Sequence, residues 1–146
     1  MTPFEFLEFM VEAEHKQLDE MLDQLKPHEL DKTIDSKGAT VGKRFRHILT
    51  AEYNMASYLY PKEGEERKEL EAITIAGLQS LSIESKARHL ETLRNLTVQD
   101  LEKNWVSKTS GKSYSYKWVL YHYIEHIATH RGQLSTALRE IREKDN

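Results

Sequence analysis

The chain has no cysteine among its 146 residues. That excludes disulfides, thiolate metal ligands and a cysteine nucleophile, so any metal must be held by histidine and carboxylates. The same absence fits a reducing cytoplasm. Glycine and proline are scarce, at 6 and 3 residues. Little of the chain is therefore broken by turns, and plentiful Glu, Lys and Leu favour helix. No apolar run approaches the ~20 residues that cross a bilayer. The start, Met1-Thr2-Pro3-Phe4-Glu5-Phe6, lacks the basic region and apolar stretch of a secretory signal. An excess of one charge is missing too: 21 basic and 24 acidic groups leave a net −3, which gives no electrostatic case for nucleic-acid binding. These absences lead us to expect a cytoplasmic, all-α single domain over residues 1–146, without nucleic-acid or membrane partners.

The helices are marked by their caps. Thr2, Pro3 and Glu5 form a capping-box start, followed by an apolar stripe of Phe4, Leu7, Val11, Leu18, Met21, Leu22 and Leu25 that stops before Pro27. Glu14 interrupts the stripe and reads as a carboxylate at the core's edge. A second helix is expected from about Thr40 to Tyr60, ending at Pro61, with stripe Val41, Phe45, Ile48, Met55 and Leu59. Glu52 falls inside that stripe and His47 at its edge. Residues 62–80 begin as a charge run and read as a long connection. A third helix is expected to open at Ser82 and reach about Leu96, with Ile83, Ala87, Leu90, Leu93 and Leu96 inward. Thr97 to Asp100 reads as a fresh cap, and Val106 to Ser115 as a loop or short hairpin. The longest helix is expected from about Tyr116 to Glu143, with Gly132 inside it as a sign of close packing. Four helices with two longer connections make a four-helix bundle, an architecture that builds metal sites from facing helices.

Chemistry enters through histidine. His126 and His130 lie one turn apart in His122-Tyr123-Ile124-Glu125-His126-Ile127-Ala128-Thr129-His130, followed by Arg131-Gly132-Gln133. Residues four apart share a helix face, so two imidazoles can converge on one ion. With 7 histidines in 146 residues, about 0.3 such pairs arise by chance and two are present, which favours design only modestly. A third ligand must come from elsewhere, and His47, His15, Glu14 and Glu52 have suitable sidedness. The residues alone do not choose among them. His122, about 80° around the helix from His130, reads as a neighbour of the site or a surface residue, and His28 and His89 as solvated. Arg131 suits an ion pair with Glu14 or Glu52, or substrate contact. Tyr53, Tyr58, Tyr121 and Tyr123 read as core residues or a pocket lining.

The block His126-x-x-x-His130-Arg131-Gly132-Gln133, with Leu134 and Leu138-Arg139 beyond it, resembles the DinB/YfiT-like family. The stretch from Thr40-Val41 through Arg46-His47-Ile48 to Ala51-Glu52 is similar to that family's second helix. The resemblance implies a four-helix bundle with a long connection between helices two and three, and a metal triad of His47, His126 and His130. It places the family's acidic position on Glu52, where a carboxylate would orient a ligand imidazole or handle protons. It also implies a divalent transition ion, zinc or nickel foremost, and reactions of small molecules that include transfer of low-molecular-weight thiols.

The function expected is thus a metal-dependent enzyme, thiol-transferase-like or hydrolase-like, working on a small molecule and paired as a homodimer. The competing expectation is a non-enzymatic helical-bundle dimer whose histidines form a structural or vestigial site.

Overall fold

The computed structural model describes residues 1–145. Four helices run over Pro3–Gln24 (α1), Val41–Leu59 (α2), Ile75–Asn95 (α3) and Tyr116–Lys144 (α4), with short strands Asn104–Val106 (β1) and Ser113–Ser115 (β2) before the last. This is the expected four-helix bundle, and 60–74 is its long connection between α2 and α3. No helix among the described residues is long and apolar enough to cross a membrane.

A hydroxyl opens every helix. Thr2 accepts from the Glu5 amide at 3.1 Å and the Glu5 carboxylate accepts from the Thr2 amide at 3.3 Å. Thr40, Thr74 and Ser115 accept from the amides of Lys43, Gly77 and Trp118. Each satisfies an amide left without a partner in the first turn. The Thr74 cap starts α3 seven residues before Ser82, where the sequence led us to expect it. The strands pair antiparallel, with Trp105 opposite Tyr114, so the 106–115 segment closes as the hairpin alternative.

Two apolar clusters fill the bundle. One gathers Leu18, Leu22, Phe45, Ile48, Leu49, Leu78, Leu81, Ile127 and Leu134; the other gathers Val11, Leu59, Leu90, Leu93, Val119, Leu120 and Tyr123. In the sequence of each of the first three helices, a polar group stands between members of the two: His15 on α1, Glu52 on α2, and Ser82, Ser85, Arg88 and His89 on α3. Glu52 is 1% exposed. His15 Nε2 lies 2.7 and 2.9 Å from its two oxygens, and His89 Nδ1 lies 2.8 Å from one of them. Ser82 donates its hydroxyl proton to Asp19 at 2.7 Å, so at 3.1 Å it can only accept from His15 Nδ1. Both nitrogens of His15 are therefore engaged, Nδ1 on Ser82 and Nε2 on the buried Glu52 carboxylate.

Three expectations are corrected here. His89 is not solvated: it is 1% exposed and holds Glu52. The inward face of α3 is not the one carrying Ile83 and Ala87. Ile83 is 71% exposed, and Ala87 is also at the surface. Leu90 and Leu93 of the expected stripe are buried and Leu96 packs against them, but in the first half of α3 serine, arginine and histidine take the core positions that Ile83 and Ala87 were expected to fill. Gly132 is not packed against anything: a Cβ there would meet nothing within 4 Å. The close approach is at Gly42, where a Cβ would meet Ile73 Cγ2 at 2.8 Å and the Leu30 carbonyl at 3.2 Å.

Burial alone would raise the Glu52 pKa, but the hydrogen bonds and charges of His15 and His89 outweigh it and hold the carboxyl at about 2 against an ordinary 4.5. A depressed folded-state pKa stabilises above the unfolded value, and that stability is lost as pH falls from about 4.5 towards 2. Glu52→Gln is expected to cost about 3–5 kcal/mol at neutral pH, the usual result of leaving a buried ion without its partner. It should also flatten the acid limb of the stability profile. Urea unfolding from pH 7 to 3 reads both; a variant as stable as the wild type at pH 7 would contradict this.

Candidate metal centre

The centre lies where α2 faces α4. Val41, Phe45, Ile48 and Glu52 point into the core, and His47 sits on the adjoining exposed edge of the same helix. Across from it, α4 buries Tyr123, Ile127 and Leu134, leaving His126 and His130 half-buried beside that face. The three imidazoles meet here. His47 Nε2 lies 3.0 Å from His126 Nε2, and one ligand atom from each of His47, His126 and His130 lies within 4.8 Å of the others. Ring centroids are 4.4 Å apart for His126 and His130, and 5.2 Å for His47 and His130.

The electrostatics keep lone pairs available. Burial lowers the His126 pKa from 6.5 to about 4, and the neighbouring His130, His47, His122 and Arg44 push it the same way. Burial also lowers that of His47, with help from His130 and Arg44. His126 Nδ1 is buried without a partner, so the ring's polar contact is made through the nitrogen aimed at His47. Two imidazole nitrogens bound to one ion ~2.1 Å from each stand ~3.0 Å apart at a right angle and ~3.4 Å apart at the tetrahedral angle, so the 3.0 Å separation is within reach of joint ligation. The donor set fits a divalent transition ion, because neutral imidazoles are its common ligands.

The other residues of interest sort clearly. His15 and Glu52 are joined in the core, and both Glu52 oxygens are taken up by His15 and His89. His122 lies outside the three-histidine group: its ring stacks on Trp118 at 4.6 Å, and its Nδ1 meets the Glu125 carboxylate at 3.2 Å. Arg131 pairs with Glu14, Nε to Oε2 at 2.5 Å, which settles its structural partner. His28 is exposed and lies 3.6 Å from Asp145. Tyr123 is buried, Tyr121 is exposed, Tyr58 stacks on Trp105, and Tyr53 donates to Glu65 at 2.9 Å. Arg44 was missed. Its Nη1 lies 2.6 Å from His130 Nδ1 and 2.9 Å from Gln133 Oε1. Its spacing three residues before His47 was the available signal, and nothing in the residue pattern set it apart from other surface arginines.

A helical bundle with an imidazole cluster between α2 and α4 has three donors placed where they could hold a metal ion. The chain belongs to the DinB family, whose model matches residues 2–141. Among solved structures it is similar to YfiT from Bacillus subtilis, with TM-score 0.75 and 16% identity over 97% of this chain and 90% of that one. YfiT is described as a probable metal-dependent hydrolase with an unusual four-helix bundle topology. A DinB-like protein, YjoA, of the same organism gives TM-score 0.73 and 16% identity over 92% and 91%. A DinB-like protein from Bacillus cereus gives 0.73 and 24% over 88% and 85%. At these identities the likeness is one of fold. None of the proteins of curated function matches the chain.

In the metal-free protein the His126 imidazole is expected to titrate near pH 4. Its lowered pKa means that stability is lost as pH falls from about 6.5 towards 4. A histidine-selective NMR titration checks this; a His126 midpoint near 6.5 would contradict the packing described.

Proposed function

We propose that the chain is a metal-dependent enzyme of the cytoplasm that transfers a thiol or water to an electrophilic small molecule at His47, His126 and His130. The resident ion is zinc or nickel. The observation that carries this reading is the 3.0 Å approach of two Nε2 atoms across α2 and α4, with the third imidazole beside them on a partly exposed surface. Three neutral ligands leave the ion's charge intact and coordination positions free, the pattern of catalytic sites. A divalent ion so held supplies Lewis acidity, lowering the pKa of a water or thiol it binds.

The chain's own contribution is positional. His47 and His126 offer lone pairs because burial and mutual repulsion disfavour their protonation. Gln133, 2.8 Å from His130 Nδ1, orients the third ring as partners of metal-bound histidines do. Glu52 enters as a positioning residue that fixes α2 against α1 and α3. Its oxygens are committed to His15 and His89, which does not favour proton transfer at the ion. The description of YfiT as a probable metal-dependent hydrolase supports the hydrolytic form. A structural site would be closed by a fourth protein ligand, and the group here has three. The exposed stacked pair Phe6 and Phe9, with exposed Ile83, supports a homodimer through α1 and α3.

Elemental analysis of purified protein beside the His126→Ala, His130→Ala double variant tests the reading. Near-stoichiometric zinc or nickel, lost in a variant that keeps its helical circular dichroism, is the expected result. Turnover of activated esters, or of a thiol with an electrophilic chromophore, should depend on that metal. Absence of metal after reconstitution with excess divalent ions would overturn it.

A further inference from the structure

We infer that Arg44 is an anion-binding residue coupled to the metal: loading the three-histidine site frees its guanidinium from His130 to take an oxyanion group of the substrate. This rests on the metal-centre reading above.

Three atoms crowd one another at the site. Arg44 Nη1 is 2.6 Å from His130 Nδ1 and 2.9 Å from Gln133 Oε1, and those two are 2.8 Å apart. The three contacts cannot all be satisfied at once. His130 Nδ1 accepts from Arg44 only as a lone pair and donates to Gln133 only as an N–H. Turning the Gln133 amide does not help, since its NH2 would then face the guanidinium. With Nδ1 engaged, Nε2 is the nitrogen left for an ion. A neutral imidazole ligating through Nε2 carries its proton on Nδ1. That N–H donates to Gln133, and the Arg44 N–H then faces another donor. Repulsion from the nearby dication acts in the same direction.

A destination is at hand. A cleft of about 300 Å³ beside His47 is lined by Ala39, Lys43, Arg44 and His47. Two of those four are cations. The acidic neighbour, Asp35, reaches Arg44 Nη2 only at 3.4 Å. Its other oxygen is occupied by the amides of Lys37 and Ala39 at 2.8 and 3.1 Å, so Arg44 retains donors for a ligand. A planar guanidinium fork matches a carboxylate or a phosphate-like group. The substrate class is therefore a small electrophile bearing a carboxylate, phosphate or phosphonate, with its reactive end at the ion.

Linkage makes the coupling reciprocal: an anion on Arg44 offsets its repulsion and tightens the metal. The test is nickel affinity by competition with a chromophoric chelator, at constant ionic strength, with chloride or sulfate. Sulfate should tighten nickel about tenfold in the wild type and less than twofold in Arg44→Gln. Without sulfate, Arg44→Gln should bind nickel more tightly than the wild type. Arg44→Lys keeps the charge and loses the fork, so its sulfate effect should fall between the two, and it carries the test if Arg44→Gln does not fold. Equal sulfate effects in the wild type and both variants would overturn the inference while leaving the metal centre standing. No nickel binding in any form would overturn the metal-centre reading, and this inference with it.

Discussion

The buried Glu52 carboxylate, held by His15 from α1 and His89 from α3, is the interaction on which the arrangement of this bundle rests. An ion enclosed between two apolar clusters carries a large desolvation cost unless its partners are in place. Here they are, at 2.7 to 2.9 Å. Apolar side chains tolerate small slips, whereas three hydrogen bonds to one carboxylate do not. The polar layer thus fixes the register and rotation of α2 against α1 and α3. His47 stands five residues earlier, about 140° around the helix. A rotation that seats Glu52 in the core therefore turns His47 away from it and towards α4.

This geometry explains how much of the molecule was legible. The cap at Thr2 could be read because a hydroxyl before an apolar run has a local meaning. The i, i+4 spacing of His126 and His130 follows from helical geometry alone, and His47 came from the family resemblance. Glu52 announced itself as a charge inside an apolar stripe, but its partners did not. His89 has no pattern around it, and Ser82, Ser85 and Arg88 make the inward face of α3 look solvated, so Ile83 was taken for core. A polar layer is legible only as a set contributed by three helices, and each helix alone shows one anomaly. Gly132 was misread for the related reason that a mid-helix glycine looks the same whether it is crowded or bare.

The two histidine clusters divide the chemistry. In the core, His15 is hydrogen-bonded to a buried carboxylate and its function is architectural. Between α2 and α4, burial and the neighbouring His130, His47, His122 and Arg44 lower the pKa of His126 and favour its neutral form, which is the state a metal requires. Membership of the DinB family and the fold shared with YfiT agree with the four-helix bundle that carries both clusters.

X-ray absorption spectroscopy of the zinc-loaded protein is the most direct measurement of whether α2 and α4 jointly present an open three-imidazole site. Three nitrogen ligands from imidazole at about 2.0–2.1 Å with solvent completing the shell, falling to two imidazoles in His47→Ala, is the expected result. A shell closed by four protein ligands, or an imidazole count unchanged in His47→Ala, would contradict it.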